Sequence, residues 1–391
     1  MTTFDDILRK LQDAKGDVRA QAVITADFAL SVQSPQDRDK LTYTLDAAAV
    51  LHWFDLPIMT HMLQVDESEA RRLLELLCHF PFVESFPLRG KNASNIHDAT
   101  RFGWRARLAR EQPNLWRQLS AQAAEWFAGR DEISSRIEYA YHLLCADPIR
   151  GARHLEELDR HWSGSAHPEH RQSLAQALWE LETHGLVEGV ARLEVLVCAG
   201  ESRSARGETA QLGDLASRSV ALARTLDHPS GLARAWCLHG DVLQSQGKLE
   251  GARAAFDEVL TISRRLAEQD PSNAGWQRDL AVAHSRVGDV LQSQGKLEGA
   301  RAAFDAYLTI SRRLAEQDPS NAGWQRGLAL AIHRTARMAS SSGAHKRAAE
   351  LLSEANQIFE RLVEKSPEQV VWKTELEQIS KELFAIVSHL Q

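Results

Sequence analysis

The C-terminal half of the chain has apolar residues that recur every three to four positions, which is the spacing of one face of an α-helix. One such stripe comprises Leu249, Ala252, Phe256, Val259, Ile262 and Leu266. Residues that break helices lie between the stripes, with Gln-Gly-Lys at 246–248 and Asp-Pro-Ser-Asn at 270–273. Pro271 disfavours helical geometry at the preceding residue, so the second helix should end near Asp270. The pattern therefore predicts a series of helical hairpins.

The hairpins repeat along the sequence. The segment Gly240–Leu280 recurs at Gly288–Leu328, a shift of 48, with three differences in 41 positions. A third, more divergent copy keeps the same register, because Gly343, Ile358, Pro367 and Trp372 match residues of the first two copies. The sequence therefore predicts repeats near 240–287, 288–335 and 336–383, and a divergent hairpin that begins at Leu212 precedes them.

Gly240 and Gly288 lie inside the first helix of their hairpins. Glycine in a helix interior costs about 1 kcal/mol relative to alanine, so a close approach of the paired helix is expected there. Ala252 and Ala300 follow twelve residues later, and Phe256 and Phe304 four residues after that.

This spacing resembles the consensus of the tetratricopeptide repeat, and the resemblance covers about 230–391. The period of 48 exceeds the family's period of about 34, which implies longer helices. In that family the outward positions of each first helix contact the ligand, and these residues could equally form a solvated helix face. The positions that the resemblance selects are Asp241, Gln244, Ser245, Asp289, Gln292, Ser293, His333 and Arg337.

The N-terminal half has a different pattern. Three short helices at 45–53, 57–63 and 67–79 precede two extended runs at 82–86 and 95–97, which is the element order of a winged helix. We expect a mostly α chain with this organisation: a helical segment at 1–44, a winged-helix-like domain at 45–128, a helical bridge at 129–190 with a linker at Ser163–Pro168, and an α-solenoid at 191–391.

The second extended run continues as Asn95-Ile96-His97-Asp98 and leads into an arginine-rich helix. This segment resembles the winged-helix module of signal-transducing (STAND-type) NTPases, with Ile96 in place of the family's methionine. The resemblance implies that His97, next to Asp98, faces a nucleotide phosphate. A capping pair at a helix start explains the same residues, and this interpretation is favoured because the chain has no phosphate-binding loop.

Charge and candidate chemistry narrow the function. The net charge of −7 disfavours general nucleic-acid binding, and the third predicted helix has an acidic start at Asp66, Glu67 and Glu69. The basic cluster of Arg101, Arg105, Arg107, Arg110 and Arg117 could contact a phosphate or an acidic partner, and its interpretation as a solvated face is favoured. The four cysteines have no metal-ligand spacing and are expected to be buried. No catalytic motif, metal site or cofactor is predicted.

The sequence lacks a signal peptide and an apolar run of membrane-spanning length, so a cytoplasmic location is expected. The predicted function is a non-catalytic regulatory scaffold or adaptor that binds partner proteins, among them an NTPase or effector enzyme on a separate chain. The alternative is a transcription regulator that binds DNA with the winged helix and uses the repeats as a sensor.

Overall fold

The computed structural model describes residues 4–163, 168–208 and 212–390. The described chain is helical apart from one small sheet, which confirms the mostly α fold class. It divides into two compact units. Unit 1 comprises Met1–Glu157 and Ser173–Val195, and unit 2 comprises Leu158–Gln172 and Leu196–Gln391. Most of the linker expected at Ser163–Pro168 lies outside the described residues.

Unit 1 contains eight complete described helices and two short strands. They are α1 (Phe4–Asp13), α2 (Val18–Ser31), α3 (Pro35–Val50), α4 (Leu56–Leu63), α5 (Glu67–Cys78), β1 (Val83–Ser85), β2 (Ser94–Ile96), α6 (Asp98–Glu111), α7 (Pro113–Phe127) and α8 (Ile133–Ala146). The strands are antiparallel, with Glu84 opposite Asn95. Three helices followed by two paired strands is the order that the sequence predicts.

The first helix of that series begins ten residues earlier than expected, at Pro35 instead of Leu45. The Ser34 hydroxyl accepts a hydrogen bond from the backbone N–H of Asp37, and proline occupies the first helical position. The residues just after Pro35 are polar and mostly exposed, so the apolar pattern starts only partway along the helix and predicted too late a start. The capping signal, and not the stripe, marks the true start.

Three further helices are shared between the two units, and eight belong to unit 2 alone. The shared helices are α9 (Pro148–Ser163), α10 (Pro168–Thr183) and α11 (Gly189–Ala205). Those of unit 2 are α12 (Leu212–Arg224), α13 (Pro229–Ser245), α14 (Leu249–Gln269), α15 (Ala274–Ser293), α16 (Leu297–Gln317), α17 (Ala322–Ser341), α18 (His345–Lys365) and α19 (Val370–Leu390).

The breakers that the sequence identifies form the turns of unit 2. Gly247 has φ 72°, a left-handed conformation that favours glycine, and Gly295 and Gly343 repeat it at the same turn. At the other junction the Asn273 side chain accepts a hydrogen bond from the N–H of Trp276 at 3.1 Å and caps α15. Helices of 20 and 21 residues between these turns account for the period of 48.

The expected close approach at the helical glycines is confirmed. A Cβ atom added at Gly240 would lie 2.5 Å from Cε1 of Phe256, and one added at Gly288 would lie 2.5 Å from Cε1 of Phe304. Both phenylalanines are buried, together with Ala252. The α13–α14 and α15–α16 hairpins thus each pack an aromatic ring of the second helix against bare backbone of the first helix.

Candidate partner-binding surface

The first helices of successive hairpins, α13, α15, α17 and α19, are called the A helices here. Ion pairs join neighbouring A helices at a sequence offset of 45. The carboxylate of Asp241 lies 3.2 Å from the Arg286 guanidinium. One repeat further on, Asp289 forms the equivalent ion pair with Arg334. The two acids and the two arginines occupy equivalent positions in the repeat, so the contact recurs with the period of the chain.

One repeat further on, between α17 and α19, the acidic and basic residues at these two equivalent positions are exchanged. Arg337 occupies the position of Asp289, and Glu382 occupies the position of Arg334. Glu382 instead contacts His333, whose Nε2 lies 2.7 Å from a carboxylate oxygen. Arg337 is exposed and forms no hydrogen bond or ion pair with the part of the chain that the structure describes. Its guanidinium therefore faces solvent without a paired acid among the described residues.

Burial changes the acidity of the two aspartates. It raises the pKa of Asp241 and of Asp289 above the usual range, while the nearby arginines Arg286 and Arg334 oppose this shift. A carboxylate that is partly desolvated and already paired offers little to a new ligand. These aspartates hold adjacent A helices together instead of pointing freely into solvent.

A cavity of about 190 Å³ lies beside this ladder of ion pairs, at α17 and α19. Glu375, which lines the cavity, accepts a hydrogen bond from Nε of Arg326 at 2.8 Å. The cavity has apolar and polar walls, and its lining residues are Leu330, His333, Arg334, Arg337, Glu375, Gln378 and Ile379. Apolar carbon and a free guanidinium therefore occur side by side.

The eight residues that the sequence selected for partner contact fall into three groups. Asp241, Asp289 and His333 are engaged in the ion pairs and hydrogen bonds described above, and His333 is only 8% exposed. Ser245 and Ser293 donate to backbone carbonyls of their own helices. The third group, Gln244, Gln292 and Arg337, is free of side-chain hydrogen bonds to described residues.

Sequence reasoning did not identify the basic partners in the ladder. Arg286 precedes Asp289 by three residues on one helix face, and Arg334 repeats this position 48 residues later. A recurrent arginine and aspartate at this spacing was the available signal. Which acid faces which arginine depends on how adjacent A helices pack, which the sequence pattern does not specify.

His97 and Asp98 stand at the start of α6 in unit 1. His97 is the N-cap residue, and its Nδ1 lies 3.4 Å from the Ala99 N–H, a long hydrogen bond. Asp98 contacts Arg101 at 2.8 Å. The capping interpretation accounts for both side chains, and the nucleotide-sensing role stays a prediction.

The interpretation of the arginine cluster as a solvated face is wrong for two of its members. Arg101 is 7% exposed and Arg105 is fully buried. Arg105 donates to the carbonyl oxygens of Ala49 and Val50 at 2.6 and 2.8 Å. These carbonyls end α3 and have no partner within their own helix, so a buried guanidinium satisfies them. Only Arg107, Arg110 and Arg117 are left for an outer face.

The expected burial of the four cysteines is confirmed for only some of them. Cys145 and Cys198 are buried and Cys237 is half-buried, but Cys78 is exposed. Burial raises the pKa of Cys145 and of Cys237 to about 12, so these thiols stay protonated at neutral pH.

In the described part of the chain, none of the helices combines the length and the apolar character needed to cross a bilayer.

Comparison with known proteins supports the repeat assignment. Residues 240–272 match the family model of the tetratricopeptide repeat. A search of curated protein sequences gave no match.

Solved structures show similarity at low identity. BtubC from P. vanneervenii is 14% identical, with a TM-score of 0.43 over 68% of this chain and 88% of its own. A STAND protein with a tetratricopeptide repeat sensor from Pyrococcus horikoshii is 9% identical, with a TM-score of 0.41 over 98% of this chain and 63% of its own. A Rap protein, solved with competence and sporulation factor, is 15% identical, with a TM-score of 0.38 over 90% and 100%. The sequence match identifies residues 240–272 as a tetratricopeptide repeat within the helical-hairpin array of unit 2.

Proposed function

We propose that unit 2 is a non-catalytic scaffold whose A helices bind a segment of a partner protein. The observation that carries this proposal is the set of free polar side chains on the A helices. Gln244 and Gln292 occupy equivalent positions, and Arg337 follows on the next A helix beside the 190 Å³ cavity. The neighbouring acids are neutralised within the unit, so these three side chains determine what the surface can recognise.

Their chemistry matches a peptide. A side-chain amide carries both donors and an acceptor, so Gln244 and Gln292 can pair with the backbone N–H and C=O groups of a bound chain. Arg337 can form a charge-assisted hydrogen bond with a carboxylate. Leu330 and Ile379 in the cavity wall can take an apolar side chain. The partner segment is therefore an extended peptide in which an acidic group lies next to an apolar residue.

The ion-pair ladder supports the same proposal through rigidity. Asp241–Arg286 connects α13 to α15, and Asp289–Arg334 connects α15 to α17. The free side chains of these three helices are therefore held at fixed separations before a partner binds. A binding surface that is already ordered loses less conformational entropy on association.

Affinity capture with a matched pair of variants tests the proposal. Wild-type protein, a Gln292→Ala/Arg337→Ala variant and a Glu298→Ala/Arg301→Ala control serve as baits in extract from the native cell. Glu298 and Arg301 are exposed on α16, a second helix of a hairpin. We expect a partner that the wild type and the control bind equally and that the first variant binds at least tenfold more weakly. Equal binding by all three proteins would refute the assigned surface.

The finer roles concern unit 1. We propose that this unit relays binding to a second protein, such as an NTPase or effector enzyme on a separate chain. Binding of DNA, the alternative function, is disfavoured by α5. Its arginines are engaged in ion pairs, Arg71 with Glu67 and Arg72 with Asp37 and Glu69. Sequence-specific DNA affinity that survives at moderate salt would favour the alternative.

A further inference from the structure

Three titratable side chains meet in the interior of unit 1. His52 lies on the segment between α3 and α4, whereas Glu138 and His142 lie four residues apart on one face of α8. Nδ1 of His52 is 2.7 Å from Oε2 of Glu138, and Nε2 of His142 is 3.5 Å from the same oxygen. One donor atom from each residue falls within 4.8 Å of the other two.

The ring of His142 packs against Phe127 and Tyr141, but its two nitrogens lack hydrogen-bond partners among the described residues. Its side chain is fully buried, and neither ring nitrogen makes a hydrogen bond to any described residue. The 3.5 Å approach to Glu138 does not have hydrogen-bond geometry. A buried polar group without a partner costs about 1–3 kcal/mol. The imidazole is nevertheless directed at a carboxylate that a second imidazole shares.

Among the described residues, the carboxylate of Glu138 is also not in contact with a permanently charged side chain. The two buried arginines nearby have other carboxylates, since Arg105 contacts Glu180 and Arg101 contacts Asp98. Within the described residues, Glu138 forms no ion pair with a lysine or arginine, and its side chain is 9% exposed. Among the charged side chains of the described residues, those in direct contact with its carboxylate are therefore the imidazoles of His52 and His142.

We propose that His52, Glu138 and His142 bind one Zn²⁺ ion. Two imidazoles and one carboxylate are a known zinc ligand set, with ligand bonds of about 2.0–2.2 Å. In tetrahedral geometry such donors lie about 3.3 Å apart. The two imidazole donors lie 2.7 and 3.5 Å from Oε2 of Glu138 and within 4.8 Å of each other, so the three side chains adjust as the ion binds. The ion balances the charge of Glu138 and gives the His142 ring a partner.

The surroundings of His52 fit the same assignment. Its other nitrogen, Nε2, lies 3.5 Å from Oε1 of Glu180, and Glu180 accepts a hydrogen bond from the Tyr141 hydroxyl at 2.8 Å. Zinc-bound histidines commonly direct their second nitrogen at a carboxylate, which fixes the ring orientation. The ion would connect α8 to the segment between α3 and α4.

Metal content and spectroscopy of the full chain test the site. Protein stripped with a chelator is titrated with Zn²⁺ against a competing chromophoric chelator, and Co²⁺ is used as a spectroscopic probe. We expect one Zn²⁺ per chain, nitrogen and oxygen ligands without sulfur in X-ray absorption, and a higher melting temperature with zinc than without.

Variants locate the site. We expect His142→Ala to weaken zinc binding at least 100-fold. The control His154→Ala removes a histidine of α9 that contacts Tyr139 and is not one of the three ligands, so it should leave zinc binding unchanged. If His142→Ala does not fold, His52→Gln takes its place, because His52 is partly exposed. Absence of tight zinc binding by the wild type, sulfur ligands, or unchanged affinity in a folded His142 or His52 variant would overturn the proposal.

Discussion

At the scale of single residues, Gly288 shows how closely the hairpins of unit 2 pack. The Cβ of an alanine at this position would meet the Phe304 ring at 2.5 Å, whereas Gly327, also in a helix, has no atom within 4 Å of the equivalent point. The same substitution at these two glycines therefore separates steric cost from helix propensity.

We expect Gly288→Ala to lower the free energy of unfolding by about 1–2 kcal/mol, because overpacking outweighs the gain in propensity. We expect Gly327→Ala to raise it by up to about 1 kcal/mol. Urea denaturation followed by circular dichroism measures both. Equal effects of the two substitutions would contradict the packing described here.

Arg105 is the second residue whose environment gives a clear expectation. Its guanidinium is fully buried and binds two carbonyls, the Tyr141 hydroxyl and Glu180. Arg105→Met should destabilise the protein by about 3–5 kcal/mol, because it removes the ion-pair partner of the partly buried Glu180 and the donors to two buried carbonyls. Arg110→Met, in the same helix at an exposed position, should change stability by less than about 0.5 kcal/mol. Thermal denaturation of both variants checks this, and comparable melting temperatures would be inconsistent with the network.

At the scale of helices, the apolar stripes and their breakers predicted most of the fold of unit 2. The stripe through Phe256 and the breakers at Gly247 and Asp270 set the limits of α14 as observed. The start of α3 was missed because its first turns are polar. The sequence predicted which helix positions form the candidate partner-binding face, but not their contacts. Asp289 contacts Arg334, 45 residues away, and His333 contacts Glu382, 49 residues away, and both partners lie on a neighbouring helix.

The ion-pair ladder between A helices gives a prediction at this scale. Exchanging the charges of one step, as the chain itself does at Arg337 and Glu382, tests whether Asp289 and Arg334 stabilise each other. We expect Asp289→Arg and Arg334→Asp each to destabilise the protein, and the double variant to recover about 1 kcal/mol relative to the sum. A double-mutant cycle by denaturant unfolding measures the coupling, and strict additivity would show that the pair contributes nothing.

Helix α19 departs from the other A helices at the position of the packing glycine. Gly240, Gly288, Ala336 and Phe384 are equivalent in the repeat, and Phe384 is 75% exposed. A ring at this position would block a following helix from packing as Phe304 packs on Gly288. Phe384→Ala should therefore change stability by less than about 0.5 kcal/mol, as measured by thermal unfolding. A large loss would mean that the ring is packed.

At the scale of the whole molecule, local sequence spacing does not predict contacts between residues that are far apart in the chain. Nearly identical sequence segments adopt the same fold, so the repeats in the sequence predicted the hairpin architecture of unit 2. The group in unit 1 joins His52 to Glu138 across 86 residues, so only the folded chain brings it together. The i, i+4 spacing of Glu138 and His142 was its one local sign. The buried roles of Arg101 and Arg105 were hidden for the same reason.

Site-specific photo-crosslinking tests the central claim, that the A helices of unit 2 hold a partner protein. A photoreactive amino acid is placed at Gln292 on the A-helix face or, as a control, at Glu298 on α16. The account predicts that one partner is crosslinked in native cells from position 292 and not from position 298, and that Arg337→Ala abolishes this product. Crosslinking of the same partner from position 298 alone would contradict the account.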